Sequence, residues 1–217
     1  MEALRQLYEI LLDFLFPKSK DVLRLEQFSE RGELFKLPLA IGSPSSFITP
    51  LFDYRDRLVR NLVWAIKYRG NRTLTCAAAT LLYEAMVEEL GDQSLFESGA
   101  VLLVPVPISS ERRRERGFNQ AELLCGSIKA CDTENFLRYE KNTLKKVRDT
   151  APQTSLKRSA RLKNLSKCFA TENQDELSGA TVILIDDVAT TGSTLKEARR
   201  VLKESGARKV IAFTIAH

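Results

Sequence analysis

The pattern that most constrains the fold lies near the end of the sequence. An apolar run at residues 180–185 is followed by a short polar turn and by an amphipathic segment at about 193–205, which Gly206 closes. A second apolar run, at residues 210–215, comes directly afterwards. Two strand-length apolar runs joined through a helix form a βαβ unit, and strands joined in this way run parallel. The pattern therefore predicts an α/β fold built on a parallel sheet.

Earlier segments extend this prediction. Residues 100–104 form a third apolar run, which ends at Pro105 and Pro107. Such runs are typical of strands buried on both faces of a parallel sheet, so we expect helices on both faces. Apolar residues at helical spacing predict further helices over residues 56–68, 74–90 and 120–129.

Two polar or interrupted stretches are harder to assign to regular structure. Residues 1–16 have charged residues at helical spacing and predict an amphipathic helix, whereas four prolines in residues 17–50 favour a linker or irregular cap. We therefore divide the chain into residues 1–50, an N-terminal helix with an irregular cap or linker, and a main domain of residues 51–217. Residues 142–163 offer little apolar surface to bury, and we expect them to form a mobile loop.

Composition excludes some classes of protein. No apolar run among the 217 residues approaches the roughly 20 needed to span a bilayer, so we expect no membrane span and a cytoplasmic location. The formal net charge of +5 permits, but does not require, binding to nucleic acid or to a polyanionic small molecule. Four widely spaced cysteines and a single histidine argue against a zinc site, and we expect reduced cysteines.

A polar turn between the first strand and the helix of the βαβ unit is the strongest functional signal. Two acids, Asp186 and Asp187, are followed by Gly192 set among four hydroxyl residues. A helix N-terminus favours a phosphate, glycine allows close backbone approach, and the upstream carboxylates suit a sugar diol. The turn lacks the lysine of a P-loop and the glycine spacing of a dinucleotide fingerprint. The alternative is that Ser193 only caps the helix and the acids are solvated.

The segment VILIDDVATTGST, residues 182–194, resembles the 5-phosphoribosyl-1-pyrophosphate (PRPP) motif of type I phosphoribosyltransferases. The wider pattern resembles the ComF family, which is linked to natural competence and DNA uptake. It includes the segments IKYRG (66–70), VPVP (104–107) and RGFNQ (116–120), and also Gln153, Arg161, Asn164 and Phe169. Unlike many ComF proteins, this sequence has no cysteine before Cys76, so the N-terminal four-cysteine zinc module of those proteins is not matched.

The resemblance implies a Rossmann-like parallel sheet of the type I phosphoribosyltransferase kind, with helices on both faces. It also implies Mg²⁺ as cofactor, with Asp186 and Asp187 as the catalytic and metal-binding pair. The implied substrate-binding residues are Val188, Ala189, Thr190, Thr191, Gly192, Ser193, Thr194, Lys67, Arg69, Arg112, Arg116, Asn119, Gln120, Gln153 and Arg161. The polar stretch that contains Gln153 and Arg161 resembles the loop that closes over the site in this fold.

Alternatives to ligand binding stay open for the basic residues. Lys67 and Arg69 could serve only to complement a helix C-terminus, and the arginines at 112–116 could form a solvated basic face or a nucleic-acid patch.

Two functions also stay open for the whole chain. One is transfer of the phosphoribosyl group to an unidentified nitrogenous acceptor. The other is a non-catalytic PRPP sensor or a DNA-uptake adaptor, with single-stranded DNA or DNA-uptake proteins as partners.

Overall fold

A five-stranded parallel sheet forms the centre of the molecule. The computed structural model describes residues 18–91, 100–147, 168–172 and 174–217. The strands in these residues are β1 (Ile48–Phe52), β2 (Val101–Pro105), β3 (Leu137–Tyr139), β4 (Leu144–Lys146), β5 (Phe169–Thr171), β6 (Thr181–Val188) and β7 (Lys209–Ala216). The α-helices are α1 (Lys20–Glu30), α2 (Arg57–Arg69), α3 (Arg72–Gly91), α4 (Ser110–Arg116), α5 (Gln120–Cys131), α6 (Gln174–Leu177) and α7 (Ser193–Glu204), with a 3₁₀ turn at Leu34–Lys36.

The strand order in the central sheet is β1-β7-β6-β2-β3, and each neighbouring pair is parallel. Strands β4 and β5 form a separate antiparallel pair. The predicted βαβ unit corresponds to β6, α7 and β7, and the apolar run at residues 100–104 lies in β2. The sheet confirms the predicted α/β class, and the helices predicted over residues 56–68, 74–90 and 120–129 are present as α2, α3 and α5.

Two hydrophobic cores lie on opposite faces of this sheet, because successive side chains of a strand point to opposite faces. In β6, Ile183 packs with helices α1, α2, α3 and α5, whereas Val182 and Leu184 pack with α7. All three side chains have no exposed surface. The apolar run of β6 is therefore continuous because both of its faces are covered, as the sequence pattern indicated.

The connections reverse direction between β2 and β6. From β2 the chain passes through α4 and α5 to β3 on one side, and from β6 it passes through α7 to β7 on the other side. Ligands of open α/β sheets bind outside the carboxyl ends of the strands at such a switch point. The fold thus directs attention to the turns that follow β2 and β6.

Three expectations need correction or lie outside the described residues. Residues 17–50 are more regular than a linker: Ser19 caps the eleven-residue helix α1, and β1 pairs with β7 at the sheet edge. Residues 144–146 of the expected loop form strand β4, paired with β5. The helix expected at 1–16 and the remainder of the loop from residue 148 onward lie outside the described residues.

No helix within the described part of the chain combines the length and the apolar character needed to cross a bilayer.

Candidate functional site

Strand β6 ends in a partly buried pair of acids. The backbone N–H of Asp187 donates to Asp186 Oδ1 at 2.9 Å, and the N–H of Val188 donates to Asp187 Oδ1 at 3.0 Å. Asp187 is 5% exposed. Lys67, from the last turn of α2, places Nζ 3.0 Å from Asp187 Oδ2 as an ion pair. Apart from this contact with Lys67, Asp187 Oδ2 has no hydrogen-bond partner among the described residues, so it keeps acceptor capacity.

The pKa values of the two acids shift in opposite directions. Burial raises the pKa of Asp186 well above its ordinary value, and the neighbouring Asp187 carboxylate raises it further. Burial acts in the same direction on Asp187, but the Lys67 ammonium and a hydrogen bond from Asp186 outweigh it, so that pKa is lowered. Burial alone would lower the pKa of Lys67, yet the Asp187 carboxylate leaves it raised. Asp187 is therefore the acid that ionises more readily, and its carboxylate is held beside a cation.

The backbone of the turn after the acids is held by contacts with Ala216 and His217. The N–H of Ala189 donates to Ala216 O at 3.0 Å, and Nδ1 of His217 lies 2.6 Å from Ala189 O. Further along the turn, the hydroxyls of Thr191 and Ser193 are 2.7 Å apart. The two hydroxyl groups thus contact each other, in a turn whose backbone is held at Ala189.

Gly192 forms the N-cap of α7 with a φ of 68° and no side-chain capping bond. An added Cβ would lie 2.9 Å from Ile48 Cδ1 and 3.4 Å from Pro44 Cβ, so both the left-handed backbone and the close contact favour glycine. Other helices of the described residues have a side-chain oxygen at this position: Ser19, Asp56, Asn71, Ser109 and Asn119. The alternative that Ser193 caps α7 and that the acids are solvated is wrong for two of its residues, because Gly192 rather than Ser193 is the cap and because Asp187 is buried, whereas Asp186 is half-buried.

A second group of predicted residues meets the first at Lys67. Gly70, in the left-handed region with a φ of 55°, lies against the ring of Phe118, where an added Cβ would be 3.2 Å from the ring. This contact joins the end of α2 to the turn between α4 and α5. Arg116 Cζ lies 5.0 Å from the centre of the Tyr68 ring, and its Nη1 donates to Gln120 Oε1 at 3.1 Å. The structure therefore brings Lys67, Arg116 and Gln120 to one place.

Other predicted residues are placed differently. Asn119 is 1% exposed, and its side chain already accepts from Ala121 N and donates to Val106 O. Arg69 stacks over Trp64 at 5.5 Å. Arg112 lies in the short helix α4. Gln153 and Arg161 lie outside the described residues, and the ligand contacts proposed for all of these side chains stay predictions.

Sequence reasoning missed the residues that support the turn. His217 contacts the Ala189 carbonyl, and Pro44 and Ile48 lie under Gly192. No local pattern marks these residues, because each is distant in sequence and reaches the turn only through the sheet. Tyr68 lies within the segment IKYRG, but its contact with Arg116 depends on how the ends of α2 and α4 meet.

Comparison with known proteins supplies a family. The model of the phosphoribosyl transferase domain matches residues 122–217. The competence protein ComFC of Bacillus subtilis is 38% identical over 166 residues, which cover 76% of this chain and 62% of that protein. The DNA utilization protein YhgH of Salmonella typhimurium is 32% identical over 152 residues, which cover 69% of this chain and 63% of that protein. The chain thus spans a little under two thirds of the length of these curated relatives.

Among solved structures, Trypanosoma cruzi hypoxanthine phosphoribosyl transferase is 13% identical, with a TM-score of 0.39, and the match covers 64% of this chain and 63% of that one. A likeness of this size supports no functional argument. The fold agrees with the sequence comparisons: the sheet is parallel and the acids at the end of β6 lie within the matched domain, as in a phosphoribosyltransferase-like protein. The matched domain and the curated relatives support assignment of the chain to the ComF family of phosphoribosyltransferase-like proteins.

Proposed function

We propose that this protein binds PRPP with Mg²⁺ and transfers the phosphoribosyl group to a nitrogenous acceptor. The observation that carries the proposal is the end of β6, where two acids precede a helix N-terminus whose cap, Gly192, has no side chain. Such an N-terminus favours a phosphate, and the acids one sugar length away accept hydrogen bonds from ribose hydroxyls. The phosphoribosyl transferase domain that matches this part of the chain supports the same function.

In this proposal the acidic, hydroxyl and basic side chains of the site have different roles. Asp186 and Asp187 orient the ribose, and the hydroxyls of Thr191 and Ser193 bind its phosphate beside the start of α7. Transfer forms a bond from the acceptor nitrogen to the anomeric carbon and breaks the carbon–oxygen bond to pyrophosphate, which leaves with the electron pair. Lys67 and Arg116 lie on one side of the acids, where they stabilise the negative charge that gathers on the leaving group.

The acids also fit Mg²⁺. This ion is usually held by one or two protein carboxylates together with substrate phosphates. Asp187 Oδ2 keeps acceptor capacity, and the site already accommodates a positive charge in the form of the Lys67 ammonium. Asp186 and Asp187 would hold the ion, which when bound neutralises charge on the pyrophosphate.

Isothermal titration calorimetry tests the binding step. We expect wild-type protein to bind PRPP in the presence of Mg²⁺, and Asp186→Asn/Asp187→Asn to lose that binding while remaining folded. Asp175→Asn, at an exposed carboxylate of α6, controls for the change in net charge. Absence of PRPP binding by the wild-type protein would contradict the ligand assignment.

Release of pyrophosphate across a panel of nitrogenous bases tests the transfer step. The relatives are a competence protein and a DNA utilization protein, which supports a role connected with DNA uptake. This favours a second candidate, a non-catalytic PRPP sensor or adaptor in that process. Pyrophosphate release with at least one base supports transfer. PRPP binding without release for any base supports the sensor or adaptor.

A further inference from the structure

The outward face of α2 lines a groove that shares only Lys67 with the residues of the proposed reaction. Its volume is about 600 Å³, and its other walls are the start of α1 and Tyr54. Among the described residues that line it are the cationic side chains of Arg57, Arg60, Lys67 and Arg69, and none of the lining residues is acidic. A groove with this charge favours an anionic ligand.

Two aromatic rings lie in the same groove. Trp64 is 46% exposed and Tyr68 is 51% exposed, and their centres are 5.7 Å apart. They share one helix face with Arg57 and Arg60, because residues three or four positions apart are neighbours on a helix surface. The opposite face of α2 is buried in the core. These rings therefore contribute little to the core. Arg69 lies over the Trp64 ring and Arg116 over the Tyr68 ring, and the exposed part of each ring presents apolar surface next to a cation, which suits stacking by a nucleobase.

The cationic side chains of the groove differ in the ion pairs that they form. Arg57 is paired with Asp21 at 2.6 Å, and Lys67 with Asp187 at 3.0 Å. Arg60 is exposed and has no ion pair with a described residue. It lies four residues before Trp64, so the two side chains are about 6 Å apart along the helix axis. This separation is comparable with the reach from a base, across its sugar, to its phosphate.

We propose that the groove is a second binding site, which takes a nucleoside monophosphate unit with the base on Trp64 and Tyr68 and the phosphate at Arg60. The unit is either a free mononucleotide or part of a single strand, since both offer the same chemistry. The groove reaches Lys67 and is therefore adjacent to the acids at the end of β6. Binding in the groove is independent of the proposed transfer, whereas a role for the bound base as acceptor would rest on it.

Fluorescence gives a direct measurement, because Trp64 is the single tryptophan of the chain. The titrations use Asp186→Asn/Asp187→Asn protein, so that a nucleotide in the PRPP site does not contribute and failure of the proposed function leaves the result readable. We expect adenosine monophosphate to quench Trp64, and ribose 5-phosphate and adenosine to require about ten-fold higher concentrations or more. Quenching by ribose 5-phosphate at the same concentration as the nucleotide, or no quenching by the nucleotide, would overturn the proposal.

Anisotropy of a short fluorescein-labelled oligothymidylate, measured in the same background, identifies the residues and the source of the nucleotide. Loss of one stacked base weakens binding by roughly ten-fold, so we expect that loss for Trp64→Ala and little change for Trp64→Phe. Arg60→Gln should weaken binding and reduce its dependence on salt. Exposed residues outside the groove provide the controls, Phe35→Ala for the ring and Arg31→Gln for the charge.

Competition by adenosine monophosphate separates the two sources. An oligonucleotide that binds far more tightly than the mononucleotide indicates a single strand as the natural ligand, and comparable affinities indicate a mononucleotide. Equal losses in the groove variants and in the control variants would refute the assignment of the groove.

Discussion

The turns after β2 and β6 lie side by side at the carboxyl edge of the sheet, yet they use their polar residues differently. After β2, Ser109 caps α4. Asn119, which follows α4, caps α5 and donates to Val106 O in the β2 turn, so side chains satisfy both helix starts there. After β6, Gly192 caps α7 without a side chain, and the nearby acids are held by backbone N–H groups and Lys67. At the start of α7, by contrast, the N–H of Ser193 donates only a long bond to Thr191 Oγ1, at 3.4 Å, and the proposed function places a ligand there.

This difference shows why polar residues at a strand end do not all indicate binding. Asn119 and Asp187 are both buried polar residues of predicted site segments. The amide of Asn119 is fully used within the fold, whereas Asp187 Oδ2 retains acceptor capacity beside an ammonium. Substitutions in the β2 turn should therefore change stability most, and substitutions in the β6 turn should change ligand binding most.

The largest effect on stability is expected at Asn119. Asn119→Ala removes the cap of α5 and leaves Val106 O without its side-chain donor in a buried position, which together should lower the free energy of unfolding by about 2–3 kcal/mol. Asn119→Ser keeps an acceptor for the cap and should lose about half as much. Urea unfolding measures both values. Loss of PRPP binding without loss of stability would contradict a scaffold role for Asn119.

A smaller effect on stability, with a clear effect on binding, is expected at Gly192. Gly192→Ala forces a side chain into the left-handed region, which costs about 1–2 kcal/mol, and moves the turn away from Ile48. Gly179→Ala is the matched control, since its φ is +72° and a Cβ would meet nothing within 4 Å. Calorimetry should show PRPP affinity falling on the order of ten-fold for Gly192→Ala, about 1.4 kcal/mol, and unchanged for Gly179→Ala. Equal affinities would mean that the turn tolerates displacement.

The same contrast explains how much the sequence reveals. The apolar runs of β2, β6 and β7 predict the sheet because burial on both faces requires continuous apolar residues. The acids and Gly192 predict a site because a helix start after two acids has a local chemical meaning. Helix α1 and strand β1 escaped prediction, since the prolines around them mark local breaks but not the sheet edge and helix surface on which they pack.

Contacts between residues that are distant in sequence are the part of the structure that no local sequence pattern predicts. Lys67 is distant in sequence from Asp187, and only the packing of α2 against the sheet brings the two together. The second role of Asn119, its bond to Val106 O, likewise depends on a strand end and a helix start that meet in three dimensions. Sequence spacing identifies candidate groups at each turn, but their partners decide whether the groups are used by the fold or kept for a ligand.

The smallest effect is expected at Asp186, and it should be a gain in stability. Because its pKa is raised in the folded protein, its charge destabilises the fold at every pH above the ordinary carboxyl value of about 4, and increasingly so until the folded-state pKa is passed. Asp186→Asn removes this cost, so the Tm at pH 8 should rise by about 2–4 °C, the shift that ~1 kcal/mol produces in a chain of this size. The gain should disappear as the pH falls toward 4.

Thermal unfolding between pH 4 and pH 8 measures this dependence, with Asp175→Asn as the control for net charge because that carboxylate is exposed. A higher Tm together with lost PRPP binding would mean that the β6 turn sacrifices stability for ligand binding, the reverse of the β2 turn. An unchanged or lower Tm at pH 8 would mean that the acids are as well satisfied as Asn119, and the contrast between the two turns would not hold.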